Sequence, residues 1–343
     1  MLDVIIAGAG PAGLHAARRC EEAGLEAVVL EEHAETGKPC HCSGLISKNL
    51  QSLVPVRKDF VEHRVRGAVM HSPNGKMLKL EKKGTAAYVT DRAGFDRFLA
   101  SRLKSEIIFK SAVDGMEILG DRVIVKSGKK SFEAKALLAC DGANSPIRKT
   151  MGARPKEMLN GLIAVRKERD YGEFVELWLD RMVCDGFLWR IPRGKKTEYG
   201  MMGTDVKFID LERFFKLNGR YEKHAGIIPL GPPRTYFDRV LLVGDAAAQV
   251  KPWSGGGVIY SLTAAEIAAK TLKQARLADD FSAPFLKRYE QGWKNAFGRQ
   301  IRAGMLARRV FKRMSNAQVN LALSSASKIR LLMNKLDMDY LVK

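Results

Sequence analysis

The fold is predicted by one stretch near the start of the chain, Val4-Ile5-Ile6-Ala7-Gly8-Ala9-Gly10-Pro11-Ala12-Gly13. Its first four residues are apolar and predict a buried parallel strand, and residues 14–23 have the composition of a helix. A second apolar strand over residues 27–30 ends in Glu31, which lies 18 residues after the last glycine. The order of strand, G-x-G-x-x-G turn, helix, strand and acid predicts a Rossmann-like dinucleotide-binding unit, in which Glu31 binds ribose hydroxyls.

Each glycine of the turn has its own expected role. Gly8 permits the tight turn, Gly10 lets the backbone approach a pyrophosphate, and Gly13 lets helix and strand pack closely. The helix begins at Pro11 and Ala12, so its N-terminus faces the phosphates. The backbone therefore supplies most of the expected phosphate site.

Three later segments carry further turn motifs. Residues 137–148 read as a strand running into an Asp-Gly turn, and residues 240–247 as a strand ending in Gly-Asp. The second of these continues through a glycine run into a helix over residues 258–272, and residues 91–99 begin another helix. The residues singled out in these segments are Arg92, Asp141, Gly142, Gly244, Asp245, Pro252, Gly255, Gly256 and Gly257.

Together these motifs resemble the p-hydroxybenzoate hydroxylase-like flavoprotein superfamily. The resemblance implies that FAD, rather than NAD, is bound by the G-x-G-x-x-G, Asp-Gly and Gly-Asp motifs. It places Asp245 at the ribityl chain, residues 255–257 close to the isoalloxazine ring, and Arg92 near the cofactor. Since the chain has one G-x-G-x-x-G, we expect an external electron donor, and both NAD(P)H and a ferredoxin-like protein stay open.

Two further motifs narrow the resemblance. Residues 38–44 contain P-x-x-C-x-G as Pro39, Cys42 and Gly44, and residues 187–192 contain an aromatic-x-Trp-x-aliphatic-Pro pattern. These look like the geranylgeranyl reductase family, with Phe187 in place of the family's Tyr. The resemblance implies a cysteine loop near the flavin, so Cys42 and Gly44 join the cofactor residues, and a strand that lines a lipid tunnel. It also implies reduction of isolated C=C bonds in geranylgeranyl chains, those of archaeal-type ether phospholipids.

The chemistry of such a double bond indicates what the site needs. An isolated alkene has no carbonyl to polarise it, so hydride transfer requires protonation that develops a tertiary cation. Trp189 and Phe187 can offer π faces to that cation. Free cysteine thiols, with a pKa of about 8.5, are mostly protonated at neutral pH. Two roles stay open for Cys42, either proton donor or a residue that shapes the pocket.

The charge of the chain is unusual for its class. The 343 residues carry 58 Lys+Arg against 38 Asp+Glu, a net charge of +20, and half of the excess lies in residues 287–343. Apolar residues recur there at helical spacing with basic residues between them, over residues 301–314 and again over 328–336. The pattern fits a basic amphipathic helix on an anionic membrane, and a solvated helical face is the alternative. The basic residues of the first run are Arg302, Arg308, Arg309, Lys312 and Arg313.

Composition sets further limits. Hydrophobic residues make up 46% and charged residues 28%, which excludes a disordered or collagen-like chain. No apolar run approaches about 18 residues, which argues against a polytopic membrane protein. Five irregularly spaced cysteines, no zinc pattern and no secretory signal predict a reduced cytoplasmic protein without a metal site, and a place at the inner face of the cell membrane is compatible with the basic helices.

The predicted architecture is α/β, with a Rossmann-like FAD-binding domain, an antiparallel β-sheet substrate domain and a helical C-terminal segment. The FAD-binding domain is discontinuous, over residues 1–50, 91–155 and 237–275. Residues 51–90 and 156–236 are expected to form the substrate sheet, and residues 276–343 the helical segment. Two other functions compete: an aromatic monooxygenase or halogenase of the same fold, and a basic flavoprotein that binds nucleic acid. Few aromatic residues are interleaved with the C-terminal basic ones, which disfavours nucleic acid.

Overall fold

The computed structural model describes residues 1–328 and 337–340, and within them the chain forms three β-sheets and eight α-helices. The helices are α1 (Pro11–Glu22), α2 (Arg92–Ala100), α3 (Pro146–Thr150), α4 (Phe208–Phe215), α5 (Val258–Ala278), α6 (Ala283–Trp293), α7 (Arg299–Phe311) and α8 (Asn316–Lys328). A single π-helical turn, Lys294–Gly298, joins α6 to α7. Among the described residues, none of the helices combines the length and apolar character that crossing a bilayer requires.

The first sheet carries the predicted dinucleotide motifs. Its strands are β1 (Leu2–Ala7), β2 (Ala27–Leu30), β8 (Ile107–Ile108), β9 (Gly115–Ile118), β10 (Val123–Ser127), β11 (Lys130–Ala139), β17 (Tyr236–Phe237) and β18 (Val240–Leu242). Strands β18, β11, β1, β2 and β8 run parallel in that order. Because parallel strands end at the same edge, the turns that follow β1, β2, β11 and β18 gather there.

Alternating burial explains how this sheet packs on both faces. Val4 and Ile6 join a core cluster with α1 and α5, whereas Ile5 and Ala7 face a second cluster that includes residues of β10. All four side chains are at most 1% exposed, as expected for a central parallel strand. Helix α5 lies close to α1 because small side chains line it; they are Ala264, Ala265, Ala268 and Ala269.

The second sheet has seven strands in the order β16-β12-β15-β14-β13-β5-β6, and only β13 with β5 pairs in parallel. Its strands are β5 (Gly67–His71), β6 (Met77–Glu81), β12 (Glu157–Arg166), β13 (Phe174–Trp178), β14 (Phe187–Pro192), β15 (Thr197–Gly203) and β16 (Glu222–Leu230). Along β14, Trp189 and Ile191 pack in a cluster with Val250 of the nucleotide-binding unit, whereas Leu188 packs with Leu211 of α4. The odd-numbered side chains of β14 therefore face the first sheet's domain.

The third sheet is small, and its three strands come from residues 45–90. It pairs β3 (Leu45–Ser47) and β4 (Val61–Val65) with β7 (Ala87–Thr90), which runs directly into α2. Residues 51–90 were expected to contribute strands to the substrate sheet, and the hairpin β5–β6 lies in the seven-stranded sheet. Strands β4 and β7 pair with each other instead, and β7, the central strand of the small sheet, also pairs with β3, which follows the cysteine loop.

The predicted fold class is confirmed in its main features. The parallel nucleotide-binding sheet, the antiparallel sheet and the C-terminal helices are all present. Strands β12 to β16 and helix α4 all lie within residues 156–236, the block expected to form most of the substrate sheet. The second amphipathic run, residues 329–336, lies outside the described residues.

Candidate active site

The G-x-G-x-x-G turn has the close packing that its glycines permit. Gly8 has φ +99°, and a Cβ added there would lie 2.5 Å from the carbonyl oxygen of Cys140. A Cβ on Gly13 would lie 1.9 Å from the carbonyl oxygen of Gly8. A Cβ on Gly10 would meet nothing within 4 Å. Gly10 therefore borders open space at the N-terminus of α1, where the helix begins at Pro11 and its first N–H groups have no intrahelical acceptors.

Glu31 lies under this turn and is 8% exposed. One carboxylate oxygen accepts a hydrogen bond from the backbone N–H of Ala9 at 2.6 Å, and the other accepts from the backbone N–H of His33 at 2.9 Å. A carboxylate offers about four acceptor positions, so these bonds leave capacity for a ribose hydroxyl. Glu31 thus also braces the glycine turn, a role that the spacing of the motif did not predict.

The two aspartate turns lie at the same edge of the sheet. Asp141 accepts a hydrogen bond from the backbone N–H of Ile147 at 3.2 Å with one oxygen. Its other oxygen, Oδ1, is buried and has no hydrogen-bond partner among the described residues. Gly142 and Gly244 both take positive φ, +77° and +69°, which these tight turns require.

The carboxyl of Asp245 lies beside two cations. Burial raises the pKa of Asp245, and the guanidinium groups of Arg92 and Arg148 partly oppose that shift. Arg148 is held by backbone carbonyls, including those of Asp245 at 3.3 Å and Ala143 at 2.6 Å. The positive field at this edge therefore comes from side chains that are themselves fixed.

Arg92 lies at the start of α2 and is 8% exposed. It donates to both carboxylate oxygens of Asp96, at 2.8 and 3.1 Å, and its Nε is buried with no hydrogen-bond partner among the described residues. Burial alone would lower the pKa of Arg92, but the carboxylate of Asp96 and the nearby Cys42 outweigh it and raise the pKa. Arg92 is therefore a permanent cation close to the cysteine loop.

These features fit a bound dinucleotide. Arg92 and Asp141 each keep a buried polar atom without a partner within residues 1–328 and 337–340, and Gly10 and the start of α1 border open space. The anionic part of a dinucleotide would suit the guanidinium of Arg92. Its ribityl and ribose hydroxyls would suit the carboxylate of Asp141. The predicted FAD residues are thus brought to one edge, with unsatisfied polar groups among them.

The glycine segment 255–257 joins this edge to the seven-stranded sheet. A Cβ on Gly257 would lie 2.9 Å from Oδ1 of Asp245. A Cβ on Gly255 would lie 3.1 Å from Cδ1 of Ile228 and 3.2 Å from Sδ of Met202, which belong to β16 and β15. The segment predicted to lie near the isoalloxazine ring therefore packs directly against the sheet predicted to hold the substrate.

The cysteine loop lies against the third sheet. Cys42 is exposed, and its Sγ accepts a weak hydrogen bond from the N–H of Gly44 at 3.5 Å. Gly44 has φ +68°, and a Cβ there would lie 2.3 Å from the carbonyl oxygen of Thr90, so only glycine fits. On the other side of the loop, His41 packs against Gly226 of β16. The loop thus lies between β7 and the substrate sheet.

The two predicted aromatic residues of β14 differ in exposure. The ring centroids of Phe187 and Trp189 are 5.7 Å apart. Trp189 is 8% exposed, its ring covers Gly200, and its Nε1 donates to Glu198 at 2.9 Å. Phe187 is only partly buried. Of the two rings, Phe187 has more surface free to meet a ligand, and Trp189 is mainly a packed side chain.

Sequence reasoning missed several charged residues that hold the site together. Arg193 and Glu198 form a buried ion pair at 2.7 Å, and Lys251 and Asp339 form another at 2.7 Å. Glu198 stands in β15, where every residue is buried. Two features of the sequence could have indicated this pair. One is Glu198, a lone acid within an apolar strand, and the other is Arg193 directly after the Trp-x-aliphatic-Pro motif.

One predicted feature of α7 requires correction. Arg308 and Lys312 were expected among the free basic residues of the C-terminal helix. The Arg308 side chain is 4% exposed and pairs with Glu157 at 2.9 Å and Asp185 at 3.2 Å, and Lys312 pairs with Glu157 at 2.7 Å. These two cations neutralise acids at the edge of the substrate sheet and bind the helix to the protein, with Arg308 buried and Lys312 still 37% exposed.

Comparison with known proteins shows which families the chain resembles. Residues 1–181 match the family described as FAD binding domain. The chain is 31% identical to digeranylgeranylglycerophospholipid reductase 2 of Methanopyrus kandleri, over 93% of this chain and 88% of that protein. It is 28% identical to digeranylgeranylglycerophospholipid reductase of Methanococcus aeolicus, over 96% of this chain and 91% of that protein.

Among solved structures, a geranylgeranyl bacteriochlorophyll reductase-like protein of Thermoplasma acidophilum superimposes with a TM-score of 0.88 at 21% identity, covering 99% of this chain and 93% of that one. At this identity the likeness establishes the fold. The sequence matches go further, and they confirm the prediction of FAD as the cofactor. The chain therefore belongs to the digeranylgeranylglycerophospholipid reductase family of FAD-binding oxidoreductases.

Proposed function

We propose that this protein reduces isolated C=C bonds in the geranylgeranyl chains of archaeal-type ether phospholipids. The observation that carries the proposal is the contact of Gly255 with Ile228 and Met202. Through it, the segment expected beside the flavin meets the sheet expected to bind the lipid. Family membership supports the same reaction class, since relatives named for this activity align over most of the chain.

The division of chemical work follows from the residues present. Reduced FAD, when bound, supplies a hydride to one carbon of the double bond. The other carbon needs a proton, and we propose that the exposed thiol of Cys42 donates it and is reprotonated from solvent. Phe187 lies on the inward face of β14 and can stabilise developing positive charge through its ring face. Trp189 supports Phe187 from the buried side.

Anaerobic reoxidation tests the reaction class. The FAD-loaded protein is reduced without oxygen and mixed with geranylgeranyl lipid in detergent, and flavin absorbance is followed. We expect reoxidation by the lipid with formation of saturated product. Turnover of an aromatic compound that requires oxygen, with no reoxidation by lipid, would instead assign the protein to monooxygenases or halogenases.

The same assay tests the thiol. Cys42→Ala is expected to retain FAD and to slow reoxidation by lipid at least about 100-fold, because general-acid catalysis typically contributes that much. Cys40→Ala is the matched control, since Cys40 is a half-buried thiol of the same loop whose Sγ donates a weak hydrogen bond to the carbonyl of Cys42 at 3.9 Å. A change below about threefold in Cys42→Ala would remove the thiol from proton transfer.

The rate at which different donors reduce the oxidised protein tests which of them is the electron donor. The external donor is proposed to be NAD(P)H or a ferredoxin-like protein. Stopped-flow reduction with NADPH, NADH and a reduced ferredoxin compares them directly. A rate that saturates with one donor at physiological concentration and exceeds the others by at least about tenfold identifies it.

We also propose that α7 and the turn after it bind an anionic membrane surface. Leu306 and Val310 are exposed by 61% and 53%, which is high for large apolar side chains. Arg302, Arg309 and Arg313 are exposed on the same side at helical spacing, and none forms an ion pair within the described ranges. Apolar residues flanked by cations suit the interface of an anionic bilayer, where the lipid substrate resides.

Vesicle binding tests this surface with a matched control. Arg309→Glu combined with Arg313→Glu is expected to lower binding to phosphatidylglycerol vesicles at least about tenfold, since each basic residue contributes about 1 kcal/mol. Lys129→Glu with Lys130→Glu changes the net charge equally in the exposed β10–β11 turn and should have a small effect. Equal losses in both pairs would show a general charge effect, and stronger binding to tRNA than to vesicles would favour nucleic acid.

A further inference from the structure

Arg193 stands at the junction of four segments around the cysteine loop. It directly follows β14, and its side chain is 10% exposed. Its guanidinium pairs with Glu198 of β15 at 2.7 Å and with Glu62 of β4 at 2.6 Å. Burial alone would lower the pKa of Arg193, but the two carboxylates raise it above its ordinary value. The group is a fixed cation under the site.

The same guanidinium holds the backbone next to Cys42. It donates to the carbonyl of Ser43, the residue after Cys42, at 2.6 Å, and to the carbonyl of Thr90 at 2.9 Å. Thr90 in turn donates to the carbonyl of Gly44 through its N–H at 3.0 Å and its hydroxyl at 2.9 Å. The C-terminal half of the P-x-x-C-x-G loop is therefore tied to β7 and to Arg193.

The other end of the network reaches the aromatic strand. Glu198 is 1% exposed and accepts hydrogen bonds from Arg193 at 2.7 Å and from Nε1 of Trp189 at 2.9 Å. Burial raises the pKa of this carboxyl, and the guanidinium of Arg193 opposes that shift. One side chain thus links the position of the Cys42 loop to the orientation of the Trp189 indole.

We propose that Arg193 is a positioning residue for the reduction, which sets the place of Cys42 relative to the aromatic strand without touching substrate. Its significance for catalysis rests on the proposed function, whereas its effect on the loop does not. Arginine suits the role because its planar fork donates in several fixed directions at once. A lysine keeps the charge that Glu198 needs but offers one nitrogen, which cannot reach the carboxylates and both carbonyls together.

Hydrogen exchange with mass spectrometry tests the positioning directly. Arg193→Lys is expected to speed amide exchange at least about tenfold in peptides covering residues 40–46 and 88–92, because the Ser43 and Thr90 carbonyls lose their shared donor. Arg190→Lys is the matched control. Arg190 lies in β14, three residues before Arg193, pairs with Asp170 and Glu176, and is 35% exposed. It should leave exchange in those two peptides unchanged.

Steady-state kinetics supplies the second readout. Arg193→Lys is expected to lower kcat for geranylgeranyl lipid at least about tenfold with KM changed less than threefold, while Arg190→Lys keeps both. Arg193→Met, which leaves Glu198 without its cation, should lose more kcat than Arg193→Lys, so retained charge gives a partial rescue. If Arg193→Lys leaves exchange unchanged, or alters it no more than Arg190→Lys does, the positioning role is wrong.

The two proposals can fail separately. Faster loop exchange with wild-type kcat would overturn the positioning role and leave the reductase function standing. A wild-type protein that does not reduce geranylgeranyl lipid, yet shows the predicted exchange difference, would overturn the function and support Arg193 as the residue that orders the loop.

Discussion

Three glycines within six residues, Gly8, Gly10 and Gly13, make different demands on the turn between β1 and α1. Gly8 needs a positive φ, Gly13 needs room for the turn carbonyl of Gly8, and Gly10 needs neither, since it has φ −78° and open space around it. The tight turn at Gly8 and the close packing at Gly13 were predictable because they depend on local backbone geometry, whereas the approach of Gly8 to the carbonyl of Cys140 depends on a distant segment. We therefore propose that the small size of Gly10 serves a ligand and not the protein.

This distinction gives a prediction for two alanine variants. Gly13→Ala should destabilise the protein by about 1–3 kcal/mol, because its Cβ would overlap the Gly8 carbonyl. Gly10→Ala should leave the stability of the FAD-free protein unchanged or slightly raised, since alanine adopts this backbone conformation readily, but should weaken FAD binding at least about tenfold. Urea denaturation and fluorescence titration with FAD measure the two quantities. Equal FAD affinity of Gly10→Ala and wild type would contradict the assigned role.

Asp245 gives a second prediction, with a defined dependence on pH. Burial raises its pKa, so the folded protein holds this proton more tightly than the unfolded chain does. Stability therefore falls as pH rises from the ordinary carboxyl pKa of about 3.9 through the raised value, and stays lower above it. Asp245→Asn lacks this loss and should melt at higher temperature than the FAD-free parent at pH 7, with a smaller difference near pH 4.

The same variant should bind FAD at least about tenfold more weakly, because an amide replaces a full charge at the proposed ribityl contact. Thermal melts across pH and FAD titration together check the idea. A variant that is less stable than the parent at pH 7 would show that the charge of Asp245 is stabilising in the folded protein, contrary to the direction of its pKa shift.

Other residues of the site were not predictable from sequence. The partners of Arg193 are Glu62, Ser43, Thr90 and Glu198, and three of these four belong to segments far away in the chain. Local patterns of apolar and polar residues carry no information on such pairing. The acid of β15 and the arginine after β14 can be noticed in the sequence, but their pairing is visible only when the strands are placed side by side.

At the scale of elements, α7 shows what periodicity can and cannot predict. The spacing of apolar residues predicted a basic helix in this region, and the helix is present. Periodicity could not tell which cations are free, because the acids that neutralise Arg308 lie 151 and 123 residues earlier in the chain. The exposed basic surface of α7 is consequently narrower than the composition suggested, and it has an apolar centre.

Arg308 therefore differs from its neighbour Arg309 in a measurable way. Arg308→Met should destabilise the protein by about 2–4 kcal/mol, because Glu157 and Asp185 lose a cation that is 4% exposed at its side chain. Arg309→Met, at an exposed position of the same helix, should change stability by less than about 0.5 kcal/mol. Chemical denaturation of both variants compares them, and similar losses would show that Arg308 does not act through its ion pairs.

At the scale of the whole molecule, each structural unit is built around one sheet, and the strands of that sheet come from separate segments of the chain. The nucleotide-binding strands come from widely separated segments, as the order of motifs predicted. The division of residues 51–90 between two sheets was not predicted, because β4 and β7 have no pattern that distinguishes one antiparallel partner from another. We propose that the discontinuous FAD-binding unit and the substrate unit are two domains. The third sheet then belongs to the FAD-binding domain.

A buried ion pair connects the C-terminal part of the chain to the flavin site. Nζ of Lys251 lies 2.7 Å from Asp339, with side chains 5% and 0% exposed. Asp339 also accepts hydrogen bonds from Ser47 and Asn49. The backbone N–H of Gly255 donates to the carbonyl of Lys251 at 2.9 Å, so this pair lies at the root of the glycine segment.

Removing the cation should therefore affect stability and cofactor binding together. Lys251→Met leaves Asp339 buried and unneutralised, which should destabilise the protein by about 3–5 kcal/mol and weaken FAD binding at least about fivefold. Lys270→Met, at an exposed lysine of α5, is the control and should change neither. Loss of stability with unchanged FAD affinity would separate the ion pair from the glycine segment.

The position of Asp339 also sets an order of events during synthesis. Asp339 follows Ser47 by 292 residues and Lys251 by 88, so every other segment of the site emerges from the ribosome before it. Domains generally fold as they are made, from the N-terminus onward. The first parallel strands can assemble early, but Lys251 waits without its counter-ion until the C-terminal segment arrives. We therefore expect stable capture of FAD to be a late step of biogenesis that follows synthesis of residue 339.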